Sequence, residues 1–218
     1  MDRQASLDAQ QASAEASYEQ GTGEEGPISE THRRFVQAVI DSCPADGVVL
    51  DAPCGTGSYF ELVLTAGRTV VGVDQSGGAL IRARSRGAEV LLKEARLQEL
   101  AFEREFDAAM CIDAMEFISP EDWPLVLGNL RRAVRRGGLV YLTVEQIDRA
   151  EIESAYTDAR AKGLPAVFGE TPRGHGYHHY PTTERVLAWV AAEGLEVVDE
   201  AVTRARNYGY LHLLLRER

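Results

Sequence analysis

Cysteine is scarce in this chain and cannot pair off. The three residues, Cys43, Cys54 and Cys111, are odd in number and show no C-x-x-C spacing. A disulfide framework is therefore not expected, and reduced thiols in a cytoplasmic setting are. Also missing are a continuous apolar run of transmembrane length and a charged start followed by an apolar signal core, so neither a membrane anchor nor secretion is expected. Basic residues are outnumbered, 23 Lys and Arg against 34 Asp and Glu, for a formal charge of −11. Nucleic acid and anionic lipid both demand cationic neutralisation, so neither is an expected partner. The one basic run, Arg131, Arg132, Arg135 and Arg136, is assigned to the last turns of a helix, where it complements the helix dipole. No G-x-x-x-x-G-K-[ST] run exists, which removes support for a nucleoside triphosphate cradle.

What is present fits one α/β domain. The 218 residues are 44% hydrophobic, enough to bury a single large core. Residues 1–28 hold six acids and one base, close to half of the net charge, and the polar stretch closes with GTGEEGP. Residues 1–27 are accordingly expected as an acidic, mobile segment or lid, and 28–218 as the folded domain. Ser29 should cap a helix bearing Phe35, Val36, Val39 and Ile40, stopped by Pro44. Strands are expected over 48–52, 69–73, 89–92, 106–112 and 139–144, separated by helices. Ser119-Pro120-Glu121-Asp122 has the form of a capping box before a helix carrying Val126, Leu130 and Val134. Helices over 149–162 and 182–192 and strands over 195–202 and 208–215 complete the pattern.

Alternating strands and helices predict a doubly wound sheet, with ligands in the crevice beyond the carboxyl ends of the strands. On that edge the chain reads VVLDAPCGTGSYF over 48–60 and TVVGVD over 69–74. Glycines let a backbone approach a ligand closely, and an acid one strand later can accept hydrogen bonds from a ribose diol. A dinucleotide turn wants a third glycine, and here that position is Phe60, so a nicotinamide cofactor is disfavoured.

These residues resemble motif I and the following acidic strand end of class I S-adenosylmethionine-dependent methyltransferases. FDAAMCIDAMEFI over 106–118 and LRRAVRRGGLVYLTVEQ over 130–146 resemble the fourth and fifth strands of that family in the usual order. The resemblance implies a seven-stranded, mostly parallel Rossmann-like sheet with the last strand antiparallel. It also implies S-adenosylmethionine as cofactor, with S-adenosylhomocysteine as product. Carried residue by residue, it assigns Asp51, Ala52, Pro53, Gly55, Gly57, Asp74, Gln75, Leu97 and Asp113 to cofactor binding. Two departures stand out: Pro53 replaces the first motif glycine and lacks an N–H, and Arg96-Leu97 stands where the family often has Asp-Ala. The N/D-P-P-Y/F run of adenine-amine enzymes is missing, and Pro53-Cys54 lies in the turn instead of after strand four as in cytosine C5 enzymes. The expected function is methyl transfer to O or N of a small metabolite, by a monomer or homodimer. The alternative is a protein that binds the cofactor without transferring methyl groups.

Substrate residues should follow the fifth strand, in an insertion over about 146–181 ending in HGYHHYP. Glu116, Glu145, Tyr177 and Tyr180 are candidate substrate contacts. Tyr18 or His32 is the candidate to close over the site. His178 is the first candidate for a general base, with His175 and His179 behind it, since imidazole exchanges protons near neutral pH. Packing of those rings on the sheet edge is the competing reading. The H-x-x-H-H spacing lacks a third ligand, so no metal is expected.

Overall fold

The computed structural model describes Arg3, Leu7 and residues 28–218 apart from 88–89, 173–176 and 206–207. Tyr18, His175 and nearly all of the expected amino-terminal arm lie outside the described residues. Helix α1 (Glu30–Ser42) begins where Ser29 accepts the His32 backbone N–H, and it buries Phe35, Val36, Val39 and Ile40. The chain then alternates β1 (Val48–Asp51), α2 (Phe60–Thr65), β2 (Thr69–Asp74), α3 (Gly77–Arg84), β3 (Leu91–Glu94), β4 (Phe106–Cys111), α4 (Trp123–Ala133) and β5 (Val134–Gln146). Helix α5 (Arg149–Ala161), strands β6 (Glu170–Pro172) and β7 (Tyr177–His179), α6 (Thr183–Ala192), β8 (Leu195–Arg204) and β9 (Gly209–Glu217) follow.

Seven strands form one sheet in the order β3-β2-β1-β4-β5-β9-β8, and β6 pairs with β7 separately. Pairs among β1 to β5 are parallel, whereas β9 runs antiparallel to both β5 and β8. The strand order reverses between β1 and β4, which opens a crevice at their carboxyl ends. Each face of the sheet is covered, as a parallel sheet requires. Strand residues alternate between the two cores: Val49, Met110 and Leu214 pack with α1, and Leu50, Cys111 and Leu213 pack on the side of α4 and α6.

Several local expectations are corrected. Strand β3 starts two residues later than the apolar pattern suggested, and Glu89 is outside the described residues. No capping box forms at Ser119. Its carbonyl accepts the amides of Asp122 and Trp123, closing a turn, and α4 opens with Pro124 in its first turn, where no N–H is needed. Val134, Arg135 and Arg136 leave the helix and begin β5. A Cβ on Gly138 would come 2.2 Å from the Asp107 carbonyl, and Gly137 has φ +83°, so this glycine pair lets the strand start early against β4. Arg135 pairs with Asp107, and Arg131 with Glu217. The insertion after α5, read as a loop, carries the β6–β7 hairpin.

Candidate active site

The turn after β1 is held by its own amides and by β2. Cys54 donates to the Val73 carbonyl at 2.8 Å, and Gly55 donates to Asp74 Oδ2 at 2.8 Å. Gly57 has φ +84°, and a Cβ there would meet the Phe60 ring at 2.6 Å. Phe60, at the third motif position, is fully buried beneath the turn. The bulk that argued against a dinucleotide is thus used to pack the turn from below.

A cavity of about 800 Å³ opens at this edge, within the ordinary range for small-ligand sites. At one end it is lined by Pro53, Gly55, Thr56, Asp74, Gln75 and Leu97. Asp74 is only 5% exposed. Its Oδ1 accepts from Ser76 N at 2.8 Å and its Oδ2 from Gly55 N, which leaves about two of the carboxylate's roughly four acceptor positions for a ligand. Burial raises its pKa, against those backbone N–H bonds, which lower it. Thr56 Oγ1 is buried without a protein partner. A diol and a polar ligand group fit these positions, so the residues present suit a nucleoside.

The other end is lined by His32, Asp113, Glu116, Phe117, Tyr177 and Tyr210. Asp113 has φ +52°, a left-handed conformation held by its N–H donating to Thr143 Oγ1 at 2.8 Å. Such backbone in a non-glycine residue concentrates at functional sites. Burial, followed by the Asp113 and Glu145 carboxylates, pushes Glu116 up to about 8, and its Oε2 is buried without a partner. Among the described residues no cluster of three His, Cys, Asp or Glu could hold a metal ion.

Of the residues assigned to the cofactor, Pro53, Gly55, Asp74, Gln75, Leu97 and Asp113 line the cavity. Asp51, Ala52 and Gly57 lie off its wall. Asp51 is buried with Oδ2 unpartnered, and burial together with Asp74 raises its pKa. Glu116 and Tyr177 face the cavity, whereas Glu145 does not, and Tyr180 lines a neighbouring recess with Gln146 and Arg149. The candidate bases on β7 are elsewhere. The His179 ring packs against Trp189, and burial lowers it to about 4. His178 packs against Phe117 and Tyr180 off the cavity wall. Tyr210, Thr203 and Arg204 are wall residues that the sequence reading missed. The alternation Tyr210, His212, Leu214 on β9 was the available cue, because it puts a polar ring at the ligand end of a buried face.

Residues 49–138 match a family model described as a methyltransferase domain. A ubiquinone biosynthesis O-methyltransferase from Rhizobium etli is 32% identical over 163 residues, which is 72% of this chain and 63% of that protein. The chain therefore spans less than two thirds of that relative. A tRNA (carboxymethyluridine(34)-5-O)-methyltransferase from Arabidopsis thaliana is 35% identical over 50% of this chain and 26% of its own length. In fold, the chain resembles a SAM-dependent methyltransferase from Methanosarcina mazei, with TM-score 0.70, 15% identity and coverage of 83% and 97%. It also resembles the magnesium protoporphyrin IX methyltransferase of Synechocystis PCC 6803 with bound SAH, with TM-score 0.67, 16% identity and full coverage of both chains. By strand order, glycine turn and the family match over residues 49–138, the chain has the fold of the class I S-adenosylmethionine-dependent methyltransferases.

Proposed function

We propose that this protein binds S-adenosylmethionine with the Asp74 end of its cavity and transfers the methyl group to oxygen or nitrogen of a small, ring-bearing molecule held at the Tyr210 end. The observation that carries the reading is the single cavity that joins these two unlike ends: a diol-accepting carboxylate beside a glycine turn, and a wall of rings with interspersed carboxyls. Asp74 and Gln75 would hold the ribose, and Leu97 would pack on the base. A sulfonium needs little activation, so the protein's main contributions are alignment of nucleophile, carbon and sulfur, and exclusion of water. The Asp113 carboxylate on the cavity wall suits a cationic cofactor. A cytoplasmic setting, which keeps thiols reduced, fits the free, buried Cys43, Cys54 and Cys111. Among the described residues no helix is long and apolar enough to cross a membrane.

Calorimetric titration with S-adenosylhomocysteine, followed by detection of that product after incubation with S-adenosylmethionine and candidate acceptors, tests the reading. Binding with turnover is the expected result. Absence of binding by the intact chain would remove it.

A further inference from the structure

The chain carries two histidines near the ring-lined end of the cavity, and their surroundings differ. His212 on β9 has both ring nitrogens engaged, Nδ1 with Tyr141 Oη at 2.7 Å and Nε2 with Thr203 Oγ1 at 3.0 Å, and it does not line the cavity. Burial, then neighbouring His32, lowers it to about 4, so it stays neutral. His32 on α1 is 7% exposed and lines the cavity. Its Nδ1 lies 2.6 Å from Ser29 Oγ, and its Nε2 is buried with no hydrogen-bond partner. The ring is wedged edge-on against Tyr210 and His212, with centroids 5.2 and 4.8 Å away. Asp113 Oδ1 is 3.8 Å from Nε2.

From this placement we infer that His32 is the general base of the transfer, taking the proton of a hydroxyl acceptor on Nε2. The inference rests on the proposed methyl transfer. With the proton on Nδ1 donated to Ser29 Oγ, Nε2 presents a lone pair to the cavity. As the acceptor O–H bond breaks, its proton passes to Nε2 and an oxygen lone pair forms the bond to the methyl carbon. The carbon–sulfur bond breaks with its electron pair remaining on sulfur. The products are a methyl ether, a neutral thioether and an imidazolium. The positive charge thus moves from sulfur to His32, where the Asp113 carboxylate stands ready to stabilise it. The groups facing this ring are Ser29 on its own helix, Asp113 after β4, and Tyr210 and His212 on β9; Glu116 lines the same cavity beyond Asp113.

The test compares wild type with His32→Gln and His32→Ala, using 7-hydroxycoumarin, which ionises readily in weak alkali, and 2-naphthol, which resists ionisation. S-adenosylhomocysteine titration checks each protein first and should give equal affinities. Loss of the base should lower kcat/KM for 2-naphthol about 10²–10⁴-fold at pH 7. The loss for 7-hydroxycoumarin should shrink as pH rises, because a preformed phenolate needs no base. An equal loss for both acceptors at every pH, or no loss, overturns the assignment. So does a wild type that binds S-adenosylhomocysteine but methylates neither phenol, an outcome that leaves the cofactor site intact. Failure to bind S-adenosylhomocysteine removes the parent reading instead.

Discussion

Asp74 Oδ2 accepts the Gly55 backbone N–H at 2.8 Å, so the carboxylate that lines the cavity also ties the glycine turn to the end of β2. Its other oxygen holds Ser76 N at the start of α3. One side chain therefore shapes this edge of the cavity and, in the proposed function, also supplies the acceptor for the sugar. Asp74→Ala should weaken S-adenosylhomocysteine binding by about 1–3 kcal/mol, read by calorimetry, and lower the melting temperature as well, because two backbone donors lose their partner. Full affinity in the variant would show that the carboxylate does not contact the sugar.

Gly57→Ala should destabilise the fold by about 1–3 kcal/mol in denaturant titration. Two causes add: the residue sits at φ +84°, and the new methyl would press on the Phe60 ring. Combining Gly57→Ala with Phe60→Leu should recover part of the loss. An unchanged midpoint for the single variant would contradict this packing.

Glu116 supplies a pH signature. Its pKa is about 8 in the folded chain against 4.5 ordinarily, so the folded state binds its proton more tightly than the unfolded state does. The stability linked to that proton is complete below pH 4.5 and is lost as pH rises through about 8. Glu116→Gln should therefore gain on wild type from pH 5 to pH 8, by a few degrees in melting temperature. A difference that stays constant over this window would mean that Glu116 ionises normally.

Glu170 joins the β6–β7 hairpin to distant chain. It accepts from Tyr177 Oη at 2.7 Å, from Val167 N at 2.7 Å and from Arg3 Nη2 at 2.6 Å, while Arg3 Nη1 reaches the Pro165 carbonyl at 2.6 Å. Glu170→Ala strands a buried phenol hydroxyl and should speed amide hydrogen exchange across 167–172 and 177–179, whereas Arg3→Ala, with its more exposed guanidinium, should do so less. Equal protection in all three proteins would argue that other packing carries the hairpin.

The central sheet was legible because each of its inner strands is a short apolar run ending beside an acid or a glycine, as at Asp51 and Asp74, and those positions depend only on local sequence. The hairpin was not, since three-residue strands in a stretch rich in Gly, Pro and His carry no periodicity to read. Arg135 and Arg136 looked helical because Val126, Leu130 and Val134 repeat every four residues, yet Gly137 and Gly138 permit an early bulged strand. His32 could be named as a candidate to close over the site, but which groups its ring meets there is decided by β9, almost 180 residues away in sequence. Long-range juxtapositions of that kind leave no local trace.

The reversed direction of β9 has a consequence for how this molecule can change. Because it runs against its neighbours, its first residues arrive where theirs finish, so Tyr210 at the start of β9 joins Thr203 and Arg204 at the end of β8 in one stretch of the cavity wall, while Pro53, Gly55 and Asp74 line it at the ends of β1 and β2. Under the proposed function, exchanges confined to that stretch of wall retune which molecule is modified while the donor's cradle is inherited untouched.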